Sequence, residues 1–587
     1  MLFTWYRLFL GMDLRDESFS IVVPWRWALG DTPFVDEQNL AQIPSLLIYP
    51  FVKVFGLVRG YDPTGLILYT RHLYLLMMIG AALAAFLALR RLVRWELALV
   101  ISSVFVSYVF FAITQLGYDT MGAAFLVVGS AFGLRVVVEG RGRGWALASG
   151  AAFGLAVVAF PTLLFIMPFV GIFFVFAQGH RAVGMVAEGA FVHPPDPDGV
   201  PTGRDAWRTL SFWVLGGLLV VVPAGLFILS FGVQDLVRCW EFTMASARKV
   251  SQLGGAAKAV AVAEGAWWDL RSHLSFVLAA LVIYLVYRRW PRLGRALLCT
   301  LPVALWLSSH ALYAQAAGFM SLFALLPPYL LLFVPVEKRR AGAKLLIFVW
   351  APSIVAGAMT AYTSAEGYTH APVGLFPVVM AGGLFLAWAL ESVSGPPGSR
   401  DEESCGARSS PRLPWLALVV LIAVVGVTIS LQFQHQVRDV PYAQLTERCD
   451  FGPWSGIMLA PQRNRLLREV EVDLRAQARP GDKLLILWER SGFYLVWNGA
   501  IAANSYWISN LDTMGPLPQS TVDYYRRRHE VPTLVLHFLD TEGVSPSALQ
   551  AGCGGLGYPA VLVRPKYAFQ RKPADETTDE ALARLPK

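Results

Sequence analysis

The sequence predicts a polytopic α-helical membrane protein that carries a small α/β domain outside the bilayer. Three observations predict it. Of 587 residues, 55% are hydrophobic and only 15% charged, where a soluble chain carries about a quarter, and the mean hydropathy is +0.50. Apolar runs recur, many of them near the ~20 residues that span a hydrocarbon core. After residue 432 the pattern changes to short apolar strands alternating with helical segments, the signature of an α/β layer.

The apolar runs lie at 66–89, 96–113, 119–138, 145–158, 160–178, 208–231, 273–288, 293–311, 316–336, 343–363, 372–394 and 414–432. With 12–65 placed outside, alternation puts Arg90, Arg91 and Arg94 inside, followed by Arg141 and Arg143. The clusters Arg288, Arg289, Arg292, Arg295 and Lys338, Arg339, Arg340, Lys344 follow on the same side, as the positive-inside rule requires. Outer turns 114–118 and 364–371 hold no Lys or Arg, while the outer loop 232–272 is mixed and suits a helix lying at the membrane surface or a plain connection. Residues 1–11 read as the outer end of a first span lacking its inner half, giving about 13 spans. The net charge of +8 follows from this topology and does not call for nucleic acid.

The chain therefore divides into a transmembrane domain, 1–432, with an acidic first outer loop at 12–65, and an extracytoplasmic α/β domain, 433–569. The polar tail 570–587 is expected to be disordered. Pro- and Gly-rich stretches at 193–205 and 394–412 read as inner linkers. In the α/β domain, spacing predicts a helix over 463–478, a strand at 483–488, a helix through "VDYYRRRHE", and strands at 533–539 and 559–565. Cys449 and Cys553 both fall in this outer domain; an oxidising exterior permits a disulfide there, and spacing alone does not establish its geometry. The chain contains no repeat, P-loop, GxGxxG after a strand, CxxC or HExxH.

Chemistry points to the first outer loop, "MDLRDESFSIVVPWRWALGDTPFVDEQ", with the acid pairs Asp16-Glu17 and Asp36-Glu37. A carboxylate at the membrane face accepts a hydroxyl proton or holds a divalent cation against phosphate; solvated loop acids are the bland alternative. Arg71 and His72 sit at the outer end of the span 66–89, where a cation is costly unless it snorkels, pairs with an acid or meets a phosphate. Tyr118 and Asp119 open another span at that face, Asp119 with the chemistry of a helix cap. His310, Gln315, Glu366 and His370 are further outer-face polar residues able to line an acceptor cleft.

The stretch "RDESFSIVVPWRWALGDTPFVDEQNLAQIPSLLIYPFVKVFG" resembles the first extracytoplasmic loop of GT-C-fold glycosyltransferases. The bacterial families related to aminoarabinose lipid A transferases and protein O-mannosyltransferases are the most similar. The matching features are Asp16-Glu17, Trp27-Gly30-Pro33, Asp36-Glu37 and the Pro-containing segment from Pro44 to Gly56. The similarity continues through "TRHLYLLMMIGAALAAFLALRRL", "QLGYDTMGAAFL" and "YTSAEGYTHAPVGLFP", but not into the last 150 or so residues. The resemblance implies an enzyme of the cell (inner) membrane that uses a polyprenyl-phosphate-sugar donor and an envelope glycan, lipid or protein acceptor. It implies Asp16 as base, with Glu17 and Asp36 orienting it, the acceptor or a divalent cation such as Mg or Mn. Arg71 and His72 would meet the donor phosphate. A transporter or flippase of envelope precursors, or a non-catalytic assembly protein of the same fold, is the alternative. Concentration of the acids in one outer loop, rather than at mid-membrane, favours the transferase.

Overall fold

A computed structural model describes residues 2–139, 142–179, 203–251, 255–290, 293–294, 297, 316–334, 336–364, 366–394, 418–423, 425–426, 439–487, 490–508, 517, 519–538 and 556–585. Most of both linker stretches, most of the expected spans 293–311 and 414–432, His310 and Cys553 lie outside the described residues.

Among the described residues, five helices are long and apolar enough to cross a membrane: Leu66–Leu89, Tyr118–Glu139, Pro161–Gln178, Asp205–Leu229 and Lys338–Thr363. Gly367–Leu375 and Val378–Leu390 make a sixth if this pair, bent by 63°, is one span. The runs expected at 96–113 and 145–158 form shorter apolar helices, Trp95–Ser107 and Arg143–Ala159. The first stops early because Tyr108 and Val109 take extended backbone, with ψ 127° and 116°, which ends α-helical hydrogen bonding. The mixed outer loop is helical instead of irregular. It forms Val233–Ser251 and the first half of a 35-residue helix, Gly255–Arg289, about 52 Å long at ~1.5 Å per residue.

Small residues set the closest helix crossing. A Cβ on Gly150 would stand 1.8 Å from Trp213 O, and one on Gly216 2.0 Å from Leu147 O. Only bare backbone permits that approach, which gains dispersion contact where lipid gives no hydrophobic drive.

The first outer loop is built from two helices, α2 (Asp16–Leu29) and α3 (Ser45–Val58). The acid pairs therefore flank a helix. Asp16-Glu17 opens α2, and Asp36-Glu37 lies beyond the Gly30 that ends it, with about 20 Å of helix between. Helix α3, with Pro50 inside it, buries Ile48 and Val52 and exposes Phe51, Val54 and Leu57, as a membrane-surface helix does.

The C-terminal part forms a five-stranded mixed sheet in the order β4-β3-β5-β7-β6. Strand β3 (Lys483–Leu487) runs parallel to β4 (Ala500–Ile501) and β5 (Leu534–Phe538). Strand β7 (Tyr567–Arg571) pairs antiparallel with β5 and with β6 (Ala560–Val563). The helices expected at 463–478 and 522–530 form as Pro461–Gln477 and Gln519–Arg528. Residues 570–585, expected to be disordered, are ordered instead. Gln570 and Arg571 complete β7, and Thr578–Arg584 is a helix whose Thr577 and Glu580 form a capping box. Leu585 packs under it with Tyr525 and Tyr558. Few apolar residues hold this tail, but they sit where the core takes them.

One hydrophobic core runs from the membrane helices into the sheet, through Trp25, Trp454, Phe493 and Leu484. The N-terminal segment joins it directly: Met458 N donates to Phe9 O at 2.6 Å and Gly11 N to Met458 O at 2.9 Å. Cys449 is buried, its thiol donating to Phe451 O at 3.5 Å.

Candidate active site at the start of helix α2

The entry to α2 is locked by the chain around it. Asp13, buried, accepts Arg15 N and Asp16 N, each at 3.1 Å, while Asp13 N donates to Glu17 Oε2 at 3.0 Å. This reciprocal arrangement works as a capping box does, satisfying amides that a helix start leaves open. Asp13 was legible in "MDLRDES" as a carboxylate three residues ahead of another, but the adjacent acid pair drew the reading past it.

Glu17 and Arg71 form a buried, two-pronged ion pair. Arg71 Nε reaches Glu17 Oε1 at 2.6 Å and Nη2 reaches Oε2 at 3.0 Å, both side chains being fully buried. The same guanidinium donates to Leu8 O at 2.5 Å and Gly11 O at 2.7 Å. A planar fork matched to a carboxylate is strong in a low-dielectric site. It ties the helix Leu66–Leu89 to α2 and to the N-terminal segment. Arg71, expected at a donor phosphate, thus has no exposed surface and is engaged by an acid of the loop. His72 is half-buried, with Nδ1 on Leu68 O at 2.7 Å and its ring edge-on to Phe9.

Asp16 is half-buried, and three other expected residues, His370, Asp119 and Glu366, lie together. His370 Nε2 lies 3.5 Å from Asp119 Oδ2, and Nδ1 lies 3.9 Å from Glu366 Oε2. The charges that act on this buried imidazole are those of Asp119, Glu366 and Asp16. Asp119 does not cap its helix; Gly117 N donates instead to Thr120 Oγ1 at 2.9 Å. Asp119 Oδ1 is buried without a hydrogen-bond partner. Phe111, in its left-handed conformation, lays its ring on His370 at 4.6 Å between centroids. Strained non-glycine backbone persists where surrounding packing holds it, and it collects at functional sites. Tyr118 packs on Phe160 at 5.6 Å.

Asp36 and Glu37 are drawn elsewhere. Asp36 accepts Thr32 N at 2.7 Å and Arg528 Nη2 at 2.9 Å. Glu37, fully buried, accepts Tyr506 N at 2.6 Å and Asn39 N at 2.7 Å. Nearby, Arg26 makes a two-pronged pair with Asp31 at 2.8–2.9 Å and also donates to Trp497 O and Gly499 O, and Tyr506 donates to Asp31 at 2.6 Å. The second acid pair therefore clamps the C-terminal domain onto the loop rather than joining Asp16. No pattern in the sequence linked residues 37 and 506. The described residues also hold no group of three His, Cys, Asp or Glu placed as metal ligands.

Burial pushes the Glu37 carboxyl up to about 7, from an ordinary 4.5. A raised acid contributes stability that is fully present below the unfolded value and is lost as pH rises through the folded one. Between pH 4.5 and 7 the clamp should weaken by about 3 kcal/mol, at ~1.36 kcal/mol per unit. Thermal melting across that window should show this slope in the wild-type protein and a flatter one in Glu37→Gln. An unchanged slope in the variant would assign the pH dependence to other groups.

Among solved structures, the chain is similar to ArnT from Cupriavidus metallidurans bound to undecaprenyl phosphate, with 12% identity, a TM-score of 0.51 and 98% of each chain covered. The apo state of that protein matches at 11% identity and a TM-score of 0.50, over 99% of this chain and 97% of that one. This is a GT-C fold. The GT-C resemblance of the first loop thus extends to the architecture of the whole chain. The Archaeoglobus fulgidus oligosaccharyltransferase is also similar, at 14% identity and a TM-score of 0.43, over 91% of this chain and 65% of that one. No family model matches the GT-C chain, and no curated protein matches it in sequence.

Proposed function

We propose that this protein is an integral-membrane glycosyltransferase. It moves a sugar from a polyprenyl-phosphate carrier to a hydroxyl of an extracytoplasmic glycan, lipid or protein. One observation carries the reading: Asp16 stands at the locked start of α2, and its charge acts on His370, which lies against Asp119 and Glu366. In the reaction, Asp16 takes the proton of the acceptor hydroxyl as its oxygen bonds to the anomeric carbon. The bond from that carbon to the phosphate oxygen breaks, and the lipid phosphate leaves with the electron pair. A base held in place from the outset lowers the barrier more than a mobile one. Asp13, Glu17 and Arg71 are positioning residues that fix the helix start. Asp119 and Glu366 hold the His370 ring, on which the charge of Asp16 acts. Asp36 and Glu37 seat the C-terminal domain over the loop.

The fold and the basic inner loops support a cell (inner) membrane location with the C-terminal domain outside. In intact spheroplasts, an impermeant thiol reagent should label Gln519→Cys, an exposed position, and leave Ser409→Cys unmodified until the membrane is opened. The reverse pattern would overturn the topology and, with it, an extracytoplasmic acceptor.

A further inference from the structure

A second concavity lies where the turn after α3 meets the C-terminal domain. Its volume is about 240 Å³, with Tyr61, Asp62 and Thr64 on one wall and Glu471, Arg475 and Asn498 on the other. Gly65 N donates to Gly452 O at 3.0 Å and fixes the walls to each other. Both walls lead to the candidate active site. Gly65 is followed by the helix that carries Arg71, and the segment holding Asn498 packs on α2, where Ser491 donates to Arg15 O at 3.1 Å.

Two carboxylates, Asp62 and Glu471, line this space. Glu471 is 6% exposed; Oε1 accepts Arg475 Nη2 at 2.5 Å, while Oε2 is buried without a hydrogen-bond partner. Bare backbone at Gly452, φ +56°, lies against that Oε2: a Cβ there would stand 2.9 Å from it. Asp62, whose like charge acts on Glu471, accepts Thr64 N and Thr64 Oγ1 on one oxygen, leaving Oδ2 3.8 Å from the exposed Arg59. A buried polar atom left unsatisfied is costly, more so when charged, so the cavity calls for donors. Arg475 already occupies one Glu471 oxygen, and a second cation there would meet its charge. Neutral hydroxyls supply donors without that repulsion. At ~30 Å³ per water the space equals about eight waters. It falls short of the ~300–1,000 Å³ of drug-sized ligands and suits a single sugar ring.

We infer that this cavity binds one neutral sugar ring of a glycan, its hydroxyls donating to the Glu471 carboxylate and to Asp62. That the glycan is the acceptor rests on the transferase reading; the binding itself does not.

The test is saturation-transfer NMR on the full chain in nanodiscs, with maltotriose as the neutral probe and glucosamine as its ammonium-bearing comparator. Wild-type protein should bind maltotriose saturably. Glu471→Gln should weaken it about 10-fold, because charge-assisted hydrogen bonds are roughly twice as strong as neutral ones. Asn498→Trp, at an exposed position on the rim, should abolish it with no change in melting temperature. Absence of saturable binding to wild type, or equal binding by Asn498→Trp, overturns the inference. So does a preference for glucosamine that the same variants remove, which would give the cavity to an ammonium. Because no transfer is measured, failure here leaves the role of Asp16 untouched, and an active Asp16→Asn enzyme would leave this site standing.

Discussion

Asp16→Asn lowers sugar transfer from a polyprenyl-phosphate donor by about 10²–10⁴-fold, the usual worth of a general base, while the protein folds and inserts normally. The amide keeps the size of the carboxylate and most of its hydrogen bonding. It is too weak a base to take a hydroxyl proton. Asp16 N would still donate to Asp13, so the helix start stays in place and the loss falls on kcat rather than on expression. Single-turnover transfer by the purified variant, alongside donor binding, separates the two. Wild-type turnover by Asp16→Asn would remove Asp16 as base. Asp36→Asn serves as the internal comparison: Asp36 meets Arg528 on the far side of α2, so its loss should change transfer by less than about 10-fold, within the range of an exposed ion pair.

Arg71→Met destabilises the protein by about 3–5 kcal/mol, the range for removing one partner of a buried ion pair. Glu17 would be left charged and fully buried, and the carbonyls of Leu8 and Gly11 would lose their donor. The measurement is the melting temperature and monodisperse yield in detergent. Arg71→Met paired with Glu17→Gln should recover part of the loss, because the uncompensated charge is gone. A phosphate ligand at the site's surface behaves differently: its loss would raise the KM for donor at unchanged stability. A stable Arg71→Met protein with weakened donor use would therefore return Arg71 to the phosphate and sink the positioning role.

Burying apolar length requires spans, and 66–89, 119–138, 160–178 and 343–363 were legible because hydropathy acts locally along the chain. The strands at 483, 534 and 560 could be read for the same reason, as short apolar runs between turn residues. The proposed place of chemistry, the start of the first loop, was suggested by its adjacent acids. The partners of those acids were not. Glu17 finds Arg71 across 54 residues, Asp36 finds Arg528 across 492, and Glu37 takes an amide 469 residues away. Two adjacent pairs, alike as sequence, divide into one half-buried candidate base, one buried anchor and two clamps. Local composition sets which groups are charged. Burial and the geometry of distant partners decide what each charge does, because the strength of a carboxylate's interactions depends on the dielectric and the donors around it, and only the closed tertiary structure supplies those.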